Sequence, residues 1–227
     1  MARIREVAGG GRAVEVEPER LAGWLARFAA RHGDVVAVDG TAERVRFGAT
    51  DGTSAEVAVP FGGLPPTTDL AADPAAVLAA VAAHLAAPRR VGIVLVRLGG
   101  HSVGVAVGGT VEASTTGTRP VHGRNRKGGS SSGRFARRRD NQARVAVDAA
   151  AEAVVRLLLP VADTLDAVVL GGDSAALDEL RTDRRLAALL ARAEPAVLDV
   201  PEPRRAVLDE AARRVRAVEI VVRDPPA

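Results

Sequence analysis

The chain has 227 residues, of which 47% are hydrophobic and only 2% aromatic, so Val, Leu and Ala must supply most of its core. That length is sufficient for one domain of ordinary size or for two small ones. The chain has no cysteine, which excludes disulfide scaffolds, thiolate metal sites and cysteine nucleophiles. Its four scattered histidines form neither H-x-x-x-H nor H-E-x-x-H spacing, so the sequence predicts no metal site.

The first part of the chain also bears on where the protein works. Residues 1–20 are charged and contain no apolar segment typical of a secretory signal. The longest uncharged apolar run, 74–88, is too short and too rich in alanine to cross a bilayer core of ~30 Å. We therefore expect a cytoplasmic protein that does not enter the membrane.

A small α+β unit is predicted for residues 1–65. RAVEVEP (12–18) alternates like a short strand, and the apolar positions of the next segment, 18–33, recur at i, i+3, i+4 and i+7, as on one face of a helix. Three segments with period-2 alternation follow between residues 34 and 61 and predict strands. The stretch 62–74 is the most linker-like part of the chain before the second unit.

Residues 66–227 are predicted to form a larger α/β core. A helix near 73–87 leads into an antiparallel meander of three strands, and a long helix covers about 133–159. Strands and helices then alternate up to a strand at 217–224. This order predicts a mixed β-sheet covered by helices, so the fold class is α+β or α/β with a small α+β unit in front of the core.

The positive charge of the chain is concentrated in one segment. Eight basic residues and no acidic residue lie between Arg119 and Arg139, which leaves 23 basic and 28 acidic residues elsewhere. The net charge of +3 therefore describes a basic patch on an acidic protein. Such a patch is typical of proteins that bind a polyanion, and a solvated charged surface is the alternative interpretation.

A glycine- and serine-rich stretch, KGGSSSG (127–133), interrupts the basic segment just before the long helix. It does not match a Walker loop, because its lysine precedes the glycines, and the glycines lack G-x-G-x-x-G spacing. Glycines expose backbone amides, serine hydroxyls exchange hydrogen bonds, and the basic flanks can hold phosphates. We therefore predict a loop at 121–133 whose tip enters a nucleic-acid environment.

Three other features have alternative interpretations. Ser131 and Ser132 are candidate caps of the long helix, and no His with a carboxylate partner is evident for a serine nucleophile. Asp173 follows a strand in the sequence GGD and is interpreted as a helix cap, with a small-molecule site at the strand end as the alternative. His101 follows a Gly-Gly pair that predicts a hairpin turn, so it is interpreted as a polar surface residue.

The sequence GGSSSGRFARRRDNQ (128–142), after a meander and at the beginning of a long helix, resembles the actinobacterial members of the Vms/ANKZF-like release factor family. GGD at 171–173 and LDVPEPRRAVLDEA at 198–211 are also similar to this group. The resemblance covers most of the chain from the helix with Trp24 onward. It implies a core similar to the middle domain of eukaryotic and archaeal peptide-chain release factors.

The resemblance implies a peptidyl-tRNA hydrolase that acts in ribosome rescue on large subunits holding an unreleased chain. Its implied partners are the large ribosomal subunit, rRNA and peptidyl-tRNA, with no metal or organic cofactor, and we expect a monomer. The implied catalytic loop residues are Gly128, Gly129, Ser130, Ser131 and Ser132. The implied RNA-binding residues are Arg124, Arg126, Lys127, Arg134, Arg137, Arg138 and Arg139.

The loop departs from the family pattern at one point. Family loops usually carry Gln two or three places after Ser130, where this chain has Ser132 and Gly133. Gln142 is no substitute, because it lies about two to three helical turns further along. Three interpretations remain: the backbone amides suffice with Ser132 as a weaker water-positioning group, the protein binds RNA or ribosomes without catalysis, or the loop sequence has been altered.

Overall fold

A computed structural model describes residues 4–8, 10–97, 100–118 and 132–225, and for residues 118 and 132–143 it describes the backbone alone. The first elements are β1 (Ile4–Glu6), β2 (Arg12–Val16), α1 (Leu21–His32), β3 (Val35–Thr41), β4 (Arg44–Ala49), β5 (Ser54–Ala58) and α2 (Pro74–Ala86). They are followed by β6 (Arg90–Arg97), β7 (Gly100–Val107), β8 (Thr110–Thr118), α3 (Ser132–Leu157), β9 (Ala167–Gly172), α4 (Ser174–Arg181), α5 (Ala187–Leu190), β10 (Ala193–Leu198), α6 (Arg205–Arg214) and β11 (Val218–Arg223).

The chain forms two compact units, each with its own sheet and its own hydrophobic core. The first unit contains residues 1–87 and 214–227, and the second contains residues 88–213. This architecture confirms the predicted α+β class. Across the ranges that the structure describes, no helix is both long and apolar enough to span a membrane.

The first unit is built on an antiparallel sheet with the strand order β1-β2-β11-β5-β4-β3. Helix α1 buries Leu21 and Phe28 in the core of this unit, as its apolar spacing predicts. The helix ends at Gly33, whose φ of +84° is a backbone conformation that favours glycine. Helix α2 begins after Asp73, whose carboxylate accepts a hydrogen bond of 2.9 Å from the N–H of Ala75.

The second unit is built on a mixed sheet with the strand order β10-β9-β6-β7-β8. Strands β6, β7 and β8 form the predicted antiparallel meander, and β9 and β10 run parallel to β6. Helices α3 and α4 cover the face that carries Val103 and Val105. On the other face Leu208 of α6 lies over Gly104, where a Cβ would come within 2.8 Å of the leucine Cδ2.

The boundary between the units differs from the predicted division at 65/66. Helix α2 and strand β11 belong to the first unit, because their apolar side chains complete its core. Val81 of α2 and Val218 and Ile220 of β11 are at most 1% exposed. Strand β11 pairs with β2 and β5, so the strand expected at the end of the core instead closes the sheet of the first unit.

Replacing Ile220 by Ala should destabilise the first unit by roughly 2–5 kcal/mol, because the side chain is fully buried and its removal leaves a cavity. Trp24 is the single tryptophan of the chain and packs against the same core. We therefore expect the denaturant midpoint of its fluorescence to fall. Val221→Ala, at a half-buried position of the same strand, is the control and should lower the midpoint less. An unchanged midpoint for Ile220→Ala would argue against β11 as part of this core.

Candidate functional site

Several strand ends meet at one end of the core sheet, next to the segment that contains the predicted loop. Strands β6, β9 and β10 are parallel, so their carboxyl ends lie on the same side. The end of β8 joins them, because Thr118 pairs with Gly100 and Gly100 pairs with Arg97. We name this region the carboxyl end of the core sheet and define it by Arg97, Gly100, Thr118, Gly172 and Leu198. The segment 119–131 leaves the sheet here and leads into α3.

Helix α3 is anchored by its second half. Among its residues with described side chains, the buried ones begin at Ala146 and include Val147, Ala150 and Val154. Ala146 lies about 21 Å along the helix from its first residue, Ser132. The anchored part is therefore well separated from the helix turns that carry the predicted basic cluster.

The predicted site residues lie at and before the beginning of α3. Ser132 is the first residue of this helix, and four of the predicted basic residues follow it at positions where the structure gives the backbone alone: Arg134, Arg137, Arg138 and Arg139. The other predicted residues lie outside the described ranges: Arg124, Arg126, Lys127, Gly128, Gly129, Ser130 and Ser131. The roles assigned to all these side chains stay predictions.

A glycine at the end of β9 lets an arginine side chain cross the carboxyl end of the core sheet. Gly172 has a φ of +112°, and a Cβ at this position would collide with the carbonyl oxygen of Val96 and lie 3.2 Å from Cγ of Arg97. Arg97 then reaches the end of β10, where its Nη1 donates a hydrogen bond of 2.7 Å to the carbonyl of Val200. Sequence reasoning missed Arg97, because nothing near it in the sequence indicates that contact.

Asp173 follows Gly172 and caps α4. Its Oδ1 accepts a hydrogen bond of 3.1 Å from the N–H of Ala176, and its own N–H donates to the carbonyl of Val96 at 2.9 Å. The interpretation of Asp173 as a helix cap is therefore confirmed. Because the carboxylate stabilises the helix end, this geometry gives no support to the alternative of a small-molecule site.

The interpretation of His101 as a surface residue is wrong. The residue is 7% exposed within β7, and its ring lies over Gly117 of β8, where a Cβ would come within 2.5 Å of the imidazole Cε1. Strand β7 already begins at Gly100, so His101 is part of the sheet and not of the turn. Its alternation with Val103 and Val105 is the sequence signal that would have placed it on the buried face.

The position of His101 affects its protonation. Burial lowers the pKa of this imidazole below its ordinary value of 6.5, and the positive charge of Arg156 lowers it further. Ser102, the next residue of β7, shares a hydrogen bond of 2.7 Å between its hydroxyl and that of Thr116 on β8. The imidazole and the hydroxyl pair thus lie in the sheet close to the point where the segment 119–131 begins.

The family comparison covers nearly all of the second unit and most of β11. Residues 89–221 match the family model described as Actinobacteria/chloroflexi VLRF1 release factor. The match covers more than half of the chain and includes the carboxyl end of the core sheet, the segment 119–131 and α3. The chain belongs to this family. The predicted resemblance is therefore confirmed, and VLRF1 membership associates the protein with a ribosome-related release function. A comparison with curated proteins gave no match.

Gly172→Ala should destabilise this VLRF1 family member by roughly 1–3 kcal/mol through the positive φ, and by more through the collision with Val96. Gly108→Ala is the matched control, because Gly108 also has a positive φ but no atom lies within 4 Å of the added Cβ. Thermal unfolding followed by circular dichroism should show a larger loss for Gly172→Ala. Equal losses would contradict the steric constraint at the end of β9.

Protonation of His101 should favour unfolding. Its pKa in the folded state lies below 6.5, whereas the unfolded state keeps the ordinary pKa. At a pH between these two pKa values the unfolded state therefore binds more protons than the folded state. Stability is then complete above about pH 6.5 and falls as the pH decreases toward the lowered pKa. Denaturant midpoints between about pH 5 and 8 should show this slope in the wild type and a flatter profile in His101→Gln. Identical profiles would show that His101 does not contribute.

Proposed function

We propose that this VLRF1 family member is a ribosome-associated peptidyl-tRNA hydrolase that releases nascent chains from stalled large subunits, working in the cytoplasm as a monomer. The observation that carries the proposal is the basic, glycine- and serine-rich segment. Eight basic residues without an acidic one lie between Arg119 and Arg139, from the carboxyl end of the core sheet into the first turns of α3. Family membership supports the same role.

The proposed reaction is hydrolysis of the ester that joins the nascent peptide to the terminal ribose of the tRNA. Water attacks the ester carbonyl carbon, the bond from that carbon to the ribose oxygen breaks, and a proton from the water ends on the ribose hydroxyl. The products are a peptide with a free carboxyl group and a deacylated tRNA. In a site made largely of RNA, the protein needs to supply only geometry and a few hydrogen-bond donors.

The tip of the loop would supply these donors. Gly128 and Gly129 shape the backbone so that its amides approach the ester oxygen that gains negative charge. The hydroxyl groups of Ser130, Ser131 and Ser132 exchange hydrogen bonds with the attacking water and orient it. Ser132 is the first residue of α3, so its position depends on how that helix is anchored.

The basic flanks of the loop would hold the phosphates of rRNA and tRNA. Each contact releases counterions, which makes binding weaker as salt rises, with a slope of about −0.9 per contact for duplexes and about −0.7 for single strands. The proposed phosphate-binding residues are Arg124, Arg126, Lys127, Arg134, Arg137, Arg138 and Arg139.

A non-catalytic ribosome- or RNA-binding relative is the second candidate. It is favoured by Ser132 and Gly133, which stand where the family resemblance places a glutamine. A serine hydroxyl is shorter than a glutamine amide and offers one donor where the amide offers two. The two candidates share the RNA-binding surface and differ in whether the ester is cleaved.

Peptide release from purified large subunits carrying a stalled peptidyl-tRNA tests the proposal. We expect slow release by the wild type and faster release by Ser132→Gln or Gly133→Gln, because the added amide helps to orient the water. Release by a glutamine variant alone would identify the wild type as a non-catalytic relative. The absence of release by the wild type and by both variants would overturn the hydrolase proposal.

A charge-matched pair of variants controls for binding in the same assay. Arg137/Arg138/Arg139→Ala should weaken cosedimentation with large subunits and make it less dependent on salt. Arg181/Arg204/Arg213→Ala removes the same charge from three exposed arginines of the second unit that pair locally with Asp178, Glu202 and Glu210. This control should bind like the wild type. Equal binding by the two triple variants would remove the beginning of α3 from the RNA interface.

A further inference from the structure

A second group of arginines lies far from the basic segment in sequence, on the first helix of the first unit. Arg20 precedes α1 by one residue, and Arg27 and Arg31 lie within it. Together with Trp24 they occupy positions i, i+4, i+7 and i+11, which fall along one side of a helix. We name these four residues the α1 stripe. It extends over about 16 Å along the helix axis.

The three arginines of the α1 stripe are exposed and free of local partners. Within the part of the chain that the structure describes, no carboxylate forms an ion pair with Arg20, Arg27 or Arg31. Helix α1 itself contains no acidic residue, and the neighbouring Glu19 is paired with Arg216. Three other exposed arginines of the same unit are neutralised: Arg5 by Glu219, Arg44 by Glu56 and Arg46 by Asp39. Arg12 is exposed and also forms no ion pair within the described residues, but it lies alone on β2. The grouping of three unpaired arginines on one side of α1 is therefore the local feature.

An aromatic side chain lies between these charges. The ring of Trp24 stacks on Phe28 with centroids 5.4 Å apart and an angle of 13° between the planes, and it is only partly buried. Phe28 is 5% exposed, so the indole is held against a fixed support. Gly23 lies within the helix beside it, although glycine weakens a helix by roughly 1 kcal/mol relative to alanine. The missing Cβ leaves room for the guanidinium of Arg27, whose Nη1 would lie 3.3 Å from a Cβ at Gly23.

We infer that the α1 stripe binds the phosphate backbone of RNA, giving the protein an RNA contact in its first unit. Guanidinium groups pair with phosphate oxygens in a bidentate geometry, and a partly exposed indole can stack on a base or ribose beside them. A strand of a nucleic acid duplex carries a phosphate about every 3.4 Å of its axis, so the stripe is long enough for several. The inference rests on the proposed function for the presence of RNA, and it adds tRNA or rRNA recognition outside the catalytic loop.

The single tryptophan makes this surface directly observable. Trp24 is the only tryptophan of the chain and there is no tyrosine, so emission excited near the tryptophan band reports on the α1 stripe alone. Titration of the full chain with purified bulk tRNA should change this emission saturably. Arg20/Arg27/Arg31→Gln should weaken the binding that this signal reports. It should also make the plot of log affinity against log salt less steep by about 2 to 3, one phosphate contact being lost per arginine.

The matched control is Arg5/Arg44/Arg46→Gln, which removes three exposed arginines of the same unit and the same total charge. It should keep the affinity, the salt slope and the emission change of the wild type. Circular dichroism of both triple variants without RNA checks that the fold is retained. The inference is overturned if the two triple variants bind tRNA with the same slope, or if tRNA binds without changing the emission of Trp24.

Two further measurements separate the possible failures. Poly-glutamate replaces tRNA in one titration, and binding at least as tight as that of tRNA would identify an acidic protein as the partner and overturn the RNA inference. Peptide release is scored independently for the same variants. Absence of release by the wild type and by both glutamine loop variants, with tRNA still bound through α1, would overturn the hydrolase proposal and leave the α1 stripe. Release with no effect of Arg20/Arg27/Arg31→Gln on tRNA binding would remove the stripe alone.

Discussion

The packing of α3 against the core sheet is the interaction on which the arrangement of the second unit depends. The helix meets the sheet with small side chains, including Ala150, Ala151 and Ala153, which allow a close approach to the β-branched residues of β6 and β7. Immediately after the helix, Leu158 fills the space left by Gly92, where a Cβ would lie 3.3 Å from its Cδ1. This packing fixes the helix axis. The direction of its first turns is therefore set by contacts made many residues later in the chain.

Two groups of exposed arginines among the described residues differ in their neighbours. In the first group an adjacent carboxylate neutralises the charge, as for Arg185, whose pKa is raised by hydrogen bonds from its guanidinium to Asp183 and Glu152. Water and salt screen exposed pairs of this kind, so they do little for stability. Their main effect is on the electrostatic potential of the surface. Because paired arginines add little net positive potential, unpaired clusters such as the α1 stripe determine which surfaces attract a polyanion.

Much of the fold could be predicted from the sequence, because it follows from the local spacing of apolar residues. The apolar spacing of α1, the glycine after it and the alternation of the meander strands each specify a structure without help from distant residues. The position of β11 could not be predicted in this way. Its partners β2 and β5 lie in the first 58 residues of the chain. Alternating apolar residues indicate that a strand buries one face, but they do not indicate which sheet the strand joins.

The candidate site also combines features that local sequence predicts with features that depend on distant contacts. The cap at Asp173 follows from a local rule, because an acidic residue between a strand and a helix supplies the acceptor that the helix end requires. Arg97 and His101 depend on contacts across strands, with Gly172 and Gly117 providing the space. A lone glycine within a strand pattern indicates a close approach by another group, but not which group approaches. The basic segment is evident from the sequence, and the partners proposed for it cannot be derived from contacts within the chain.

Both ends of the segment 119–131 are held by rigid elements, and this explains why glycines and arginines would occur together. Thr118 is paired in β8, and α3 is fixed by its packing, so the thirteen residues between them could extend at most roughly 20 Å from the sheet. Under the proposed function, a tip with this reach would enter a site built of RNA, which a side chain on the sheet could not do. Ordering a glycine-rich tip costs more entropy than ordering other sequences. Under the proposed function, phosphate contacts on both sides of the tip offset that cost.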